Sequence, residues 1–68
     1  MIEVDARGLS CPEPVIMAKK ALKKSPEGIF IHVDNVASKE NVSRYLEAMG
    51  CKVSLEEGNG EWLISGRR

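Results

Sequence analysis

The stretch Ile29-Phe30-Ile31-His32-Val33 decides the fold of this chain. Its branched aliphatic residues alternate with an aromatic ring and a histidine, and successive side chains of a β-strand point to opposite faces. The stretch is therefore predicted to be a strand with one apolar face and one mixed face. An apolar sheet face must be covered by another layer, and the segments on either side of this strand predict the helices that cover it.

On the amino-terminal side, residues 2–5 alternate apolar and acidic side chains and predict a short strand that runs into a loop at Arg7-Gly8. A helix is predicted from Cys11-Pro12 to the stop signal Ser25-Pro26-Glu27-Gly28. Its apolar residues recur at helical spacing, and they are Val15, Ala18, Ala21 and Leu22. Its last two turns carry lysines, where positive charge suits the helix dipole, at Lys19, Lys20, Lys23 and Lys24.

On the carboxyl-terminal side, a second helix is predicted with Ser38 as its N-cap and Glu40 in its first turn. The residues expected to form its buried stripe are Val42, Tyr45, Leu46 and Met49. Gly50 is expected to take the left-handed position after this helix. Cys51 then follows, where an apolar contact back to the helix commonly accompanies such a cap.

The last segment predicts a β-hairpin with Gly58-Asn59-Gly60 at its turn. With Asn59 and Gly60 as the two turn residues, Leu55 is expected to face Ile64, and Glu57 is expected to face Trp62. This cluster of small residues is a turn and not a phosphate-binding loop, because no helix follows it.

Together these elements predict an α/β (α+β) protein, a two-layer α/β sandwich in the order β-α-β-α-β-β. Right-handed crossovers place both helices on one face of a mixed four-stranded sheet. The other face is left open, and its residues are expected to be Glu3, Asp5, Phe30, His32, Ser54, Glu56 and Leu63. Phe30 and Leu63 on that face predict either a docking surface or isolated exposed apolar side chains, which are common on folded proteins.

Composition bounds the class of protein. The chain has 68 residues, 43% of them hydrophobic, which predicts one folded domain over residues 1–68 and excludes a disordered segment. Ten basic and ten acidic side chains give zero net charge, which argues against nucleic-acid binding through overall charge. So small a core has no room for a bulky cofactor, and none is expected. No stretch predicts a membrane span or a signal peptide, so the expected location is the cytoplasm.

The two cysteines, Cys11 and Cys51, are too few and too far apart for a disulfide scaffold or a zinc site. Both are expected to be free thiols, with no metal bound. If Pro12 is the first helical residue, Cys11 is the N-cap, and its sulfur faces backbone N–H groups and the positive end of the helix dipole. Both favour the thiolate. In a second register Ser10 is the N-cap and Glu13 completes a capping box.

Neighbouring residues modify this expectation for Cys11. Pro14 removes another N–H from the first turn and stiffens it, and Arg7 brings positive charge to the loop. Glu13 acts in the opposite direction, because its carboxylate disfavours a thiolate nearby. The alternative is that Cys11 is a small buried apolar residue, as free cysteines often are. A position at a proline-stiffened helix start, between polar residues, argues against burial.

No partner for hydrolytic chemistry is evident. His32 lies on a strand and is interpreted as an inert residue, and Cys51 is interpreted as part of a helix cap and not as a resolving thiol. A nucleophilic thiol without a base, metal or pocket fits sulfur transfer between macromolecules. Such a thiol takes sulfur from a donor, holds it as a persulfide and gives it to an acceptor.

The stretch Asp5-Ala6-Arg7-Gly8-Leu9-Ser10-Cys11-Pro12-Glu13-Pro14 resembles the Cys-Pro-x-Pro signature of the TusA/SirA/YedF family of small sulfur-carrier proteins. The resemblance extends over the whole chain, and residues 33–51 are closest to the YedF branch. It implies a two-layer α/β sandwich and a persulfide on Cys11, with Pro12 and Pro14 as its flanking prolines. It also implies a cysteine desulfurase-like donor, an acceptor protein, and a DsrE-like partner or fused domain.

On this interpretation the chain is a sulfurtransferase that acts as a carrier, with tRNA thiolation or a related relay as its end use. Gly8 would let the loop pass close to the sulfur, and Asp5 would brace the loop. Two alternatives stay open, a selenium carrier of the YedF type and a non-catalytic protein-binding module that uses the open sheet face. An RNA-binding domain is disfavoured by the neutral charge and the few aromatic residues.

Overall fold

The structure is a computed structural model that describes residues 2–10 and 12–68. Its elements are β1 (Ile2–Asp5), α1 (Glu13–Lys24), β2 (Gly28–Val33), α2 (Val36–Ala48), β3 (Lys52–Gly58) and β4 (Glu61–Arg67). The predicted order of elements is confirmed.

The strands form one four-stranded sheet in the order β1-β2-β4-β3. β1 runs parallel to β2, whereas β4 runs antiparallel to both β2 and β3. Because β1 and β2 point the same way, the segments that follow them leave the sheet at the same edge. That edge carries the candidate site.

Both helices lie on one face of the sheet, as predicted. α1 packs on β1 and β2, α2 packs on β3 and β4, and the helices contact each other. The core between the layers consists of buried apolar residues: Ala6, Ala18, Ala21, Leu22, Ile29, Ile31, Val33, Val42, Leu46, Cys51 and Ile64. The two-layer α/β sandwich is therefore confirmed.

The central strand β2 has the two faces that its sequence predicts. Ile29, Ile31 and Val33 are fully buried beneath the helices. Phe30 and His32 point to the open face and are partly exposed. The alternation of side chains along a strand accounts for this difference.

The start of α2 differs from the prediction. Asn35 is its N-cap, with extended backbone angles, and its Oδ1 accepts a hydrogen bond from Ser38 N at 2.8 Å. Ser38 is therefore not the cap but a buried residue of the first turn, and Glu40 lies beyond that turn. Asparagine caps helices as well as serine does, so the chain enters the helix three residues earlier than expected.

The buried stripe of α2 is shorter than predicted. Val42 and Leu46 are fully buried, and Tyr45 packs partly against the core. Met49 is 41% exposed, so its assignment to the core was wrong. It is the C-cap residue, where the helix has ended and the side chain no longer faces the sheet.

The end of α2 is closed by a glycine, as predicted. Gly50 has a φ of +85°, which glycine adopts without the strain a side chain would add. Gly50 N donates to Glu47 O at 3.0 Å, and Cys51 N donates to Leu46 O at 2.9 Å. These two bonds form a Schellman motif, which accounts for the buried position of Cys51.

The β3–β4 hairpin has the predicted register. Leu55 lies opposite Ile64, and Glu57 lies opposite Trp62. Asn59 and Gly60 form the turn with φ of 55° and 74°, the positive values that a type I′ turn requires.

The second face of the sheet is uncovered, as predicted. On it His32 lies opposite Leu63 on β4, and Phe30 lies opposite Ser65. Phe30 and Leu63 are partly exposed, so they form a small apolar area among polar neighbours. Within residues 2–10 and 12–68, no helix has the length and apolar character needed to cross a membrane.

Candidate functional site

The candidate site is the segment between β1 and α1, residues 6–12, here called the β1–α1 loop. Its predicted nucleophile, Cys11, lies outside the described residues. Its neighbours in the chain, Ser10 and Pro12, are both exposed. The loop leaves the sheet beside the segment that follows β2, and Ala6 N donates to His32 O at 2.9 Å where the two strands end.

The helix start follows neither predicted register. α1 begins at Glu13, with Pro12 as its N-cap and no side-chain capping bond. Glu13 N donates to Ser10 O at 3.0 Å, and Ile16 N donates to Pro12 O at 3.1 Å. Pro12 is therefore not the first helical residue, and Ser10 contributes its carbonyl in place of a hydroxyl cap. The hydrogen bond from Glu13 N to Ser10 O takes the place of the predicted capping box.

Few backbone N–H groups are available as donors at the start of α1. Pro12 and Pro14 have no N–H, and the N–H of Glu13 is bonded to Ser10 O. Val15 is the other residue of the first turn that has an N–H. Fewer free N–H groups than predicted are therefore present at the start of α1. A thiolate near the positive end of the helix dipole would have correspondingly fewer backbone hydrogen bonds to stabilise it.

Pro14 has a second role that its sequence position does not indicate. It occupies the second position of α1 and is fully buried. Proline is tolerated there, because a first-turn residue has no partner for its N–H within the helix. Pro14 thus anchors the start of α1 in the core, close in sequence to the exposed Pro12.

Asp5 and Arg7 close the beginning of the loop. Asp5 Oδ1 accepts from the backbone N of Arg7 at 3.0 Å and from its Nε at 2.9 Å, and Asp5 Oδ2 accepts from Arg7 Nη2 at 2.8 Å. These side-chain and backbone hydrogen bonds from Arg7 hold the pKa of Asp5 well below its usual range. Asp5 therefore braces the turn with an ionised carboxylate.

The charge of Arg7 is balanced by two carboxylates. Besides Asp5, Glu61 at the start of β4 accepts from Arg7 Nη1 at 3.3 Å. The hydrogen bonds to Asp5 and then to Glu61 raise the pKa of Arg7 above its already high value. A residue so paired contributes little positive potential to a thiol in the same loop. Glu13, which is exposed, adds a further negative charge at the helix start.

Position 8 requires a glycine because of its backbone conformation. Its φ is +80°, in the region that residues with a side chain rarely adopt. Apart from Gly8 itself and its two chain neighbours, no described heavy atom lies within 4 Å of the place where a Cβ would stand. The expected close approach of Gly8 to the sulfur stays a prediction, because Cys11 is not described.

Two residues of the site, Asp34 and Asn35, were missed by the sequence analysis, which included them only in the stretch 33–51 that resembles the YedF branch and gave them no role at the site. Asp34 Oδ2 accepts from Gly8 N at 2.8 Å, and Asn35 Nδ2 donates to Leu9 O at 3.3 Å. The signal was present in the topology, because polar residues directly after two parallel neighbouring strands meet at one edge.

The side chains of His32 and Cys51 take no part in the hydrogen bonds of the β1–α1 loop described above. His32 Nε2 is within hydrogen-bond distance of Glu3 Oε2 on the open face. Cys51 follows α2, whose 13 residues span about 20 Å from the end at which Asn35 lies. Among the described residues, no cluster of histidine, cysteine and acidic side chains is arranged to hold a metal.

Comparisons with known proteins place this geometry in a family. Residues 2–68 match the family model described as Sulfurtransferase TusA. The crystal structure of the SirA-like protein from Desulfitobacterium hafniense superposes with a TM-score of 0.86 at 38% identity, covering 98% of this chain and 96% of that one. Its similarity confirms the fold.

Three curated relatives have sequences similar to this chain. A protein of Archaeoglobus fulgidus named "Putative sulfur carrier protein" is 34% identical over 64 residues, 85% of this chain and 83% of its own. A Methanocaldococcus jannaschii protein of the same description is 39% identical over 59 residues, 84% of this chain and 79% of its own. Bacillus subtilis YrkF, with the same description, is 33% identical over 64 residues; they are 91% of this chain but only 35% of YrkF.

Proposed function

The chain belongs to the TusA family, and on this premise we propose that it is a sulfur carrier whose Cys11 holds sulfane sulfur as a persulfide. The observation that carries the proposal is the family match over residues 2–68, which includes the Cys-Pro-x-Pro motif at Cys11. The relatives named as sulfur carriers support it. The proposal includes a cytoplasmic location, where thiols are kept reduced.

The transfer needs no cofactor and no net oxidation. The Cys11 thiolate attacks the outer sulfur of a persulfide on a donor protein. A sulfur–sulfur bond forms at Cys11, the donor's sulfur–sulfur bond breaks, and the donor leaves as a thiolate that takes up a proton. An acceptor thiolate then repeats the same exchange on the outer sulfur carried by Cys11. Sulfurtransferase activity in this sense is the transfer of one sulfur atom between two proteins.

The surface beside the motif suits a protein partner. An open groove of about 440 Å³ separates the first turn of α1 from α2, and its lining residues are Pro12, Val15, Asn41, Arg44, Tyr45 and Ala48. A macromolecular donor can bring its own persulfide against such a surface. A cysteine desulfurase-like protein is the donor we propose, with another sulfur-relay protein as acceptor and tRNA thiolation as one end use.

Intact-protein mass spectrometry tests the proposal. The chain is incubated with a cysteine desulfurase and free cysteine and is then treated with reductant, alongside Cys11→Ser and Cys51→Ser variants. We expect an adduct of one sulfur atom in the wild type and in Cys51→Ser, which reductant removes, and no adduct in Cys11→Ser. An adduct that persists in Cys11→Ser contradicts the assignment. Repeating the incubation with free selenocysteine in place of cysteine tests for a selenium carrier of the YedF type, because the desulfurase then offers the outer selenium of its own selenopersulfide to the Cys11 thiolate.

A second candidate function rests on the open sheet face, where Phe30 and Leu63 are partly exposed. A protein-binding module would lose its partner in Phe30→Asp or Leu63→Asp and keep it in Cys11→Ser. A DsrE-like domain, encoded separately or fused, is the partner we propose to test first. The result opposite to these expectations, with binding lost only in Cys11→Ser, assigns partner recognition to the thiol.

A further inference from the structure

Asp34 and Asn35 connect the β1–α1 loop to the rest of the protein. Gly8 N donates to Asp34 Oδ2 at 2.8 Å, and Asn35 Nδ2 donates to Leu9 O at 3.3 Å. Gly8 and Leu9 precede Cys11 by three and two residues. Both bonds end on the backbone of the loop, so they constrain the path of the chain into Cys11 and do not depend on the loop's side chains.

The two residues are themselves held in place. Asn35 Nδ2 also donates to Asp34 Oδ1 at 3.3 Å, which links the two side chains. Asn35 Oδ1 accepts from Ser38 N at 2.8 Å and so caps α2. The bonds to the loop therefore come from the N-cap residue of α2 and the residue before it, so a helix that packs on the sheet sets the position of the loop.

We propose that Asp34 and Asn35 are positioning residues for sulfur transfer, which rests on the proposed function of Cys11. They hold the backbone of the β1–α1 loop so that the thiol approaches the donor's outer sulfur in line with the sulfur–sulfur bond that breaks. Asp34 acts through its hydrogen-bond acceptor and not through its charge. A negative charge near the thiol would raise the thiol pKa and slow attack, so the two roles have opposite effects on the rate.

Asp34→Asn and Asp34→Ala separate the two roles. The asparagine keeps a side-chain oxygen that can accept from Gly8 N and removes the charge, whereas alanine removes both. We expect Asp34→Asn to load sulfur at the wild-type rate and Asp34→Ala to load it roughly tenfold more slowly, since a misplacement of about 1 Å can cost about a hundredfold in rate and a lost loop bond is expected to cause a smaller one. Glu57→Ala is the matched control, because it removes an exposed carboxylate from the same end of the sheet.

A third variant, Asn35→Ser, tests the role of Asn35 without removing the N-cap of α2. Serine is an N-cap comparable to asparagine but has no amide to reach Leu9 O. Asn35→Ser is therefore expected to unfold at the wild-type urea concentration and yet load sulfur more slowly. This variant keeps the proposal testable if Asp34→Ala does not fold.

The readout is the rate of loading together with the pH profile of Cys11 alkylation by iodoacetamide, resolved from Cys51 by peptide mapping. Asp34→Ala at the wild-type loading rate overturns the proposal. Equal behaviour of Asp34→Asn and Asp34→Ala, with the alkylation profile moved to lower pH in both, assigns the effect to charge and also overturns it. If the wild type takes up no sulfur, the proposed function itself fails, whereas wild-type loading that Asp34→Ala leaves unchanged overturns the positioning role alone.

Discussion

Gly66 on β4 lies directly beneath Leu46 on α2. A Cβ atom at Gly66 would stand 2.8 Å from Leu46 Cδ1 and 3.3 Å from Leu46 Cγ, closer than carbon atoms pack. The absence of a side chain at Gly66 thus sets how near α2 approaches the sheet.

Gly66→Ala is therefore expected to destabilise the fold by about 1–3 kcal/mol, the usual cost of an extra carbon in a packed core. Urea unfolding measures the change. Gly58→Ala is the control, because a Cβ there meets no atom within 4 Å and the backbone needs no positive φ. Equal stability of the two variants would show that α2 can move away from β4 without a loss of folding stability.

The cap of α2 gives a prediction that separates two neighbouring residues. Asn35→Ala is expected to cost about 0.5–2 kcal/mol of stability, because the N–H of Ser38 loses its acceptor. Ser38→Ala is expected to be neutral or stabilising, since Ser38 Oγ is buried and has no hydrogen-bond partner among the described residues. Thermal unfolding checks both. A larger loss in Ser38→Ala than in Asn35→Ala would restore Ser38 as the cap.

The Asp5–Arg7 pair predicts how stability depends on pH. The folded-state pKa of Asp5 lies below its usual value near 3.9, so the pair stabilises the fold above that value. The contribution is lost as the pH falls further, through the folded-state pKa. The stability difference between wild type and Asp5→Asn should be constant above about pH 5 and shrink below about pH 4.

The magnitude of this effect is expected to be small and sensitive to salt, because both side chains are exposed. Carbon-detected NMR titration of Asp5 measures the pKa directly. Arg7→Gln is the control and should return the Asp5 pKa toward its usual range. A normal Asp5 titration in the wild type would contradict the pairing.

Charge is divided between the two ends of the molecule although the net charge is zero. The end with the β1–α1 loop carries Asp5, Asp34, Glu57 and Glu61 together with the cations Arg7 and Lys39, and the opposite end carries Lys23, Lys24, Lys52, Arg67 and Arg68 together with Glu27. We expect a cationic methanethiosulfonate to modify Cys11 about fivefold faster than an anionic one, relative to the same ratio on free cysteine.

Salt supplies the control for this prediction. The preference should decline at 1 M salt, where the screening length is about 3 Å. Glu61→Gln should reduce it, and Lys24→Gln at the other end should leave it unchanged. A ratio equal to that of free cysteine at low salt would mean that the acidic end does not act on the thiol.

Local patterns were sufficient for most of the fold. The alternation in residues 29–33 identifies the central strand and its buried face, because side-chain direction in a strand depends only on neighbouring residues. Asn59 and Gly60 determine the hairpin register for the same reason, since few residues adopt their positive φ values. The motif around Cys11 likewise names the proposed nucleophile from adjacent residues alone.

Local patterns failed where a residue's partner is distant in the chain. Ser38 and Asn35 are both good caps, and the sequence by itself could not choose between them, because the choice depends on where the chain leaves β2. Met49 fits the apolar spacing of α2, yet the helix ends before it and it stays exposed. The pairing of Arg7 with Glu61 spans 54 positions, and no local rule contains it.

The sequence by itself determined the elements, their order, the register of the hairpin and the motif that includes Cys11. Only the tertiary structure decided that Asp34 bonds to Gly8, 26 positions away, and that Arg7 is shared between two carboxylates. The physical reason is the distance along the chain over which each kind of interaction acts. Backbone preference and side-chain alternation act over a few residues, whereas the parallel pairing of β1 with β2 brings their following loops together through space.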